Sequence, residues 1–151
     1  MNTSESDEVG GMIFFGNPVE IVPRRLIASP QLTSDDKVGW MLMRILSHHS
    51  VVSDIEHSET FARMLSSQPK VDFERCAQVI ARLRLTRWIV RCGETDSGHL
   101  FGIYDEQASA LDVLQLDEQY PAFVEATCQS PDPGTRKLAQ KILEQLRQET
   151  D

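Results

Sequence analysis

The hydrophobic period of this chain changes after Arg87, and few folds accommodate what stands on either side of that point. Before it, apolar residues recur at three- and four-residue steps, the spacing of amphipathic helices. Val38, Met41, Leu42, Ile45 and Leu46 make one stripe, widened by Trp40 and Met43. Phe61, Ala62 and Leu65 make a short second one, and Phe73, Cys76, Ala77, Ile80 and Leu83 a third. Beyond it, Trp88-Ile-Val-Arg-Cys is rich in strand formers, and Gly93-Glu-Thr-Asp-Ser-Gly has turn chemistry. His99-Leu-Phe-Gly-Ile-Tyr is a second strand candidate.

The boundaries follow from capping. Ser34 offers a hydroxyl, with Asp35 and Asp36 in the first turn facing the positive end of the helix dipole. That helix is expected to run to about His48, with 49–57 as a connection. Ser58 begins the short helix, which Ser66-Ser-Gln-Pro-Lys breaks, and Asp72 caps a third running to about Arg87. Helix, short helix, helix and two-stranded hairpin is the order of a winged helix-turn-helix, assigned to residues 33–105. Residues 1–12 are polar and acidic, which predicts disorder. Residues 13–32 carry Pro18, Pro23 and Pro30 and read as an extended arm. Residues 106–151 read as a helical extension. Short helices are expected at 108–116 and 119–128, packing through Leu111, Leu114, Phe123, Val124 and Ala126. A last amphipathic helix is expected at 134–148 through Leu138, Ala139, Ile142, Leu143 and Leu146. The predicted class is mainly α with a small β-hairpin: a winged helix-turn-helix with additional C-terminal helices.

Charge suggests where function lies. The whole chain carries a net charge of −8, yet residues 63–91 hold seven basic side chains against two acidic ones. A local positive field survives screening near a surface, so a polyanion, and double-stranded DNA above all, is the expected partner. On the predicted third helix the far side presents Glu74, Arg75, Gln78, Arg82 and Thr86. Arginine reads guanine and glutamine reads adenine with paired hydrogen bonds, so Arg75, Gln78 and Arg82 are candidate base readers, with Thr86 beside them. Lys70, Arg84, Arg87 and Arg91 are candidate phosphate contacts. The competing reading is a solvated helix face, with Arg84, Arg87 and Arg91 balancing the helix C-terminus or pairing with the acidic segment 105–118. The wing tip, Glu94, Asp96 and Ser97, carries no positive charge, and His99 is the only possible cation nearby. From Cys92 to Thr135 there are nine carboxylates and no Lys or Arg. Asp112, Asp117 and Glu118 are therefore the candidates for docking a basic protein partner.

Other classes are disfavoured. Cys76, Cys92 and Cys128 form no C-x-x-C pair and read as structural thiols. His48, His49 and His57 lie near Asp54 and Glu56 without metal-ligand spacing. No phosphate-loop, zinc-protease or serine-elbow motif occurs, so the chain reads as a non-enzyme without cofactors. No apolar run approaches the length of about 20 residues that spans a bilayer. The polar, acidic start is unlike a secretory leader, which predicts a cytoplasmic protein with no membrane partner. The last helix either covers the core or pairs with its twin in a homodimer.

Leu83-Arg-Leu-Thr-Arg-Trp-Ile, the Gly-containing hairpin, Tyr104-Asp-Glu and Leu116-Asp-Glu-Gln-Tyr120 together carry a resemblance over roughly residues 33–125. The chain is similar to replication-associated winged-helix proteins of integrative conjugative elements and pathogenicity islands of Gram-negative bacteria. The family commonly has a proline after the Asp-Glu pair, where Gln107 stands here. The resemblance implies work in the replication, maintenance or regulation of a mobile genetic element. Two functions are expected from these readings: a DNA-binding winged helix, or a winged-helix protein-interaction module that docks a replication or regulatory partner on its acidic C-terminal surface.

Overall fold

The computed structural model describes residues 19–66 and 70–150 of the chain. The disorder expected for residues 1–12, and the first part of the arm at 13–18, lie outside them. The chain is mainly helical with a small three-stranded antiparallel sheet. Its elements run α1 (Arg24–Ala28), α2 (Ser34–Leu46), β1 (Val51–Ser53), a 3-10 turn (Ile55–His57), α3 (Glu59–Leu65) and α4 (Phe73–Leu85). They continue through β2 (Ile89–Glu94), β3 (His99–Ile103), α5 (Ala110–Leu116), α6 (Tyr120–Thr127) and α7 (Pro133–Thr150). Two elements depart from expectation. The arm contains α1, whose Leu26 is fully buried and anchors it to the core. The connection 49–57 contributes β1, which pairs with β3 and gives the sheet order β1-β3-β2. Three residues are too few to show an alternation, so β1 left little trace in the sequence.

Capping chemistry sets the helix starts, one residue away from expectation in α2. There Thr33, not Ser34, is the N-cap: its hydroxyl accepts from Asp36 N–H, and the Asp36 carboxylate accepts from Thr33 N–H at 2.9 Å. This reciprocal box satisfies two backbone donors that the first turn leaves open. Asp72 caps α4 as the sequence suggested, and Ser58, expected to begin the short helix, is the N-cap of α3.

Two apolar clusters build the core. The first joins α2, α3 and α4 to one face of the sheet around Trp40, Met43, Phe61, Val79, Leu83 and Phe101. At Gly39 the helices α2 and α4 nearly touch, since a Cβ there would lie 2.4 Å from Val79 Cγ1. The second cluster gathers α5, α6 and α7 around Leu85 and Val90 through Val113, Tyr120, Val124, Ala139, Ile142 and Leu146. The α7 stripe expected for either core or homodimer is thus covered within the chain. Each large side chain so buried contributes about 1.5–3 kcal/mol, which fixes the C-terminal helices against the end of α4. Helix α4 is therefore packed on two sides. The expected inward set is corrected accordingly: Phe73 and Ala77 are exposed, and Val79 and Leu85 are buried instead. Leu111 and Ala126, expected to pack, are also exposed.

Candidate functional site

The predicted DNA-reading face of α4 lies against other parts of the chain. Arg75 donates from Nε and Nη2 to the two Asp35 oxygens, at 2.8 and 2.7 Å. This parallel fork is the strong geometry of an arginine–carboxylate pair, and it holds the Asp35 carboxyl below its ordinary range. Arg82 is buried: its Nε lies 2.9 Å from both oxygens of the fully buried Asp36, and its Nη1 donates to Thr135 Oγ1 on α7 at 2.9 Å. Thr86 is buried as well, its hydroxyl donating to Arg82 O and so closing the end of the helix. Gln78 is half-buried and lines a groove of about 330 Å³ between α4 and the α6–α7 junction. A duplex cannot reach Arg82 without displacing α7.

The phosphate candidates are engaged in the same way. Arg84 donates from Nε and Nη2 to Asp117 Oδ2 and stacks its guanidinium 4.2 Å from the centre of the Phe123 ring. Arg91 reaches the same carboxylate at 3.6 Å and also pairs with Glu94. Arg87, in the left-handed region at φ 66°, donates to Ala108 O at 2.8 Å. Arg63 pairs with Glu59 one turn earlier. Of the seven basic side chains between 63 and 91, only Lys70 shows neither a carboxylate nor a carbonyl partner for its charge among the described residues.

Asp117, expected on a docking surface, is instead fully buried between Arg84 and Arg91. Its place explains the quoted motifs. Leu83-Arg-Leu-Thr-Arg-Trp and Leu116-Asp-Glu-Gln-Tyr lock onto each other through Arg84–Asp117 and through Tyr120 OH, which donates to Leu85 O at 2.6 Å. Asp105 pairs with Arg44 of α2, and Gln107 Nε2 donates to Thr86 O. Trp40 Nε1 donates to Tyr104 O from the same side. These motif residues latch the C-terminal helices to the hairpin and to α4. The tip of the β2–β3 hairpin folds back too, with His99 Nδ1 2.6 Å from Glu56 and the Thr95 hydroxyl on Asp54.

What stays open lies on α5 and in the turn that follows it. Asp112 and Glu118 are exposed, as are Leu111 (69%) and Leu116 (47%). Asp112 and Leu116 are four residues apart and share a helix face. Beside them a largely apolar groove of about 380 Å³ crosses the outer face of the sheet, lined by Val51, Cys92, Gly102, Tyr104 and Leu116. Its floor is low because glycine stands at 102, in the central strand, and a Cβ there would press within 3.1 Å of the Tyr104 ring. A bulge between Arg91 and Gly93 leaves Cys92 without a partner in the register and exposed at the groove. Burial, and then the charges of Cys92 and Asp112, push the Tyr104 hydroxyl above its ordinary value. Sequence reading missed this groove, because neither a bulge nor a bare central glycine has a periodic signature.

Among the described residues no helix is long and apolar enough to cross a membrane. Comparison with known protein families, characterised proteins and solved structures gives no match to this chain.

Proposed function

We propose that this chain is a winged-helix protein-interaction module that docks a basic, amphipathic segment of a partner along α5 and the adjoining groove. The winged-helix reading rests on the order α2-β1-α3-α4-β2-β3 with the sheet order β1-β3-β2. The interaction reading rests on one observation: Leu111 and Leu116 are exposed beside Asp112 and Glu118, which have no ion-pair partner among the described residues, and Leu116 lines an apolar groove. Apolar anchors supply affinity in such a surface, while the charged rim steers a cationic partner and fixes its register. The resemblance to replication-associated proteins of mobile elements suggests a replication or regulatory complex as the setting. Base reading by α4 has less support, because Arg82 and Thr86 are buried and Arg75 is held by Asp35.

A labelled helical peptide alternating leucine and lysine at helical spacing serves as the probe. Polarization titration is expected to show binding that Leu116→Ala weakens about tenfold, the loss of roughly 1.4 kcal/mol of anchor contact. Asp112→Lys with Glu118→Lys is expected to weaken it further and to reduce its salt dependence. Binding unchanged by all three substitutions would remove the α5 surface from consideration.

A further inference from the structure

We propose that a second, positively charged cleft, between α1 and α7, holds the phosphate backbone of DNA. The cleft is open, about 440 Å³, and is lined by Arg25, Ser29, Gln31, Gln107 and Lys141 among others. No carboxylate lines it, in a chain where Asp and Glu outnumber Lys and Arg by 23 to 15. Asp105, Glu106 and Glu144 are acidic neighbours along the chain, and none of them belongs to the lining. Arg25 and Lys141 are exposed and have no carboxylate partner among the described residues, unlike the arginines of α4. The remaining donors suit an anion. The Ser29 hydroxyl oxygen accepts from Gln31 N–H, which leaves its own proton to donate, and the Gln31 side chain has no hydrogen-bond partner among the described residues.

The positive charge continues beyond the cleft. Lys137 stands one turn before Lys141 on the same face of α7, and Arg24 precedes Arg25 on α1; both are exposed. Side chains four apart on a helix lie about 6 Å from one another. Lys137 and Lys141, so spaced, fit a ligand that repeats its negative charge, as a phosphodiester strand does every 3.4 Å or so of rise. A single small anion would leave Lys137 and Arg24 without a role. The surface is also separate from α5, so a protein segment and a nucleic acid do not compete for one site.

The test is a polarization titration of the full chain against a labelled 20-base-pair duplex and the corresponding single strand, from 50 to 200 mM salt. Four phosphate contacts predict a slope of about −3.6 in log K against log salt for duplex, or roughly a 150-fold loss across that range. Arg25→Ala with Lys141→Ala removes two contacts, so the slope falls to about −1.8 and the loss to roughly 12-fold. Both positions are exposed, so the variant is expected to keep the parent melting temperature. Tighter binding of the single strand, with the same response to the double variant, supports the cleft and assigns the phosphates to unpaired DNA. Three outcomes overturn the proposal: no binding to either DNA at 50 mM salt, binding that the double variant leaves unchanged, or binding to phosphatidylglycerol vesicles and not to DNA.

Discussion

Arg82→Met keeps the aliphatic stem of the side chain and removes the guanidinium that neutralises Asp36. In the parent, Arg82 is about one-tenth exposed and Asp36 not at all, so solvent screens this pair little. Without the guanidinium, the Asp36 carboxylate stays buried with the Thr33 N–H, at 2.9 Å, as its remaining side-chain hydrogen-bond donor. Breaking a buried ion pair from one side costs about 3–5 kcal/mol. The capping bond keeps the loss near the lower end, about 3 kcal/mol. That is a large share of the roughly 5–15 kcal/mol that holds a domain of this size together. At about 2–4 °C per kcal/mol for about 150 residues, the melting temperature should fall by about 6–12 °C. Urea unfolding followed by far-ultraviolet circular dichroism measures it, with the slope against denaturant expected to stay constant. Adding Asp36→Asn neutralises the stranded carboxylate, and the double variant is expected to recover at least half of the loss. A cost under about 1 kcal/mol for Arg82→Met would refute the reasoning, since it would mean a guanidinium free to leave α4 for another ligand.

Gly39→Ala improves intrinsic helix propensity by roughly 1 kcal/mol, but its methyl would meet Val79 at 2.4 Å. Overpacking of about 1–3 kcal/mol is expected to win, so thermal unfolding should show net destabilisation. Tyr120→Phe strands the buried Leu85 carbonyl, and about 1–3 kcal/mol should be lost in the same measurement. Acid should weaken the fold through Asp35 and Asp132. The bond from Arg75 holds Asp35, and bonds from Thr135 hold Asp132, below the ordinary value of 3.8. A carboxyl lowered by folding stabilises fully above its unfolded value, and that contribution disappears as pH falls through its folded value. Unfolding free energy from these two groups should therefore be flat from about pH 5 to 8 and drop below about pH 4. Asp35→Asn should reduce the drop.

Much of the element order was legible because it depends on local signals. Ser58 and Asp72 cap α3 and α4, and the change of period after Arg87 marks where helix gives way to strand. The side of α4 that holds Arg75, Arg82 and Thr86 was not legible. A helical wheel separates apolar from polar positions, and a buried arginine is polar on that wheel whatever it touches. Asp36 and Thr135 lie 46 and 53 residues from Arg82 in the chain, beyond any periodic signal. One hint was available: a block of seven cations precedes a block of nine carboxylates in a small chain. The pairing of Arg84 and Arg91 with Asp117 realises the competing reading, in which the basic residues meet the acidic segment 105–118. Asp117 was misplaced for the same reason, since a carboxylate that joins two arginines is indistinguishable in sequence from its exposed neighbour Glu118.

The central claim is that the arginines between 75 and 87 hold the fold together rather than a ligand. Arg75, Arg82, Arg84 and Arg87 each donate an Nε–H within the chain, to Asp35, Asp36, Asp117 and Ala108 O. Proton–nitrogen spectra of arginine Nε–H groups, recorded at neutral pH with and without duplex DNA, test this directly. Four signals protected from solvent exchange and unmoved by DNA are the predicted result. Rapidly exchanging signals, or signals that shift as the duplex is added, would contradict it.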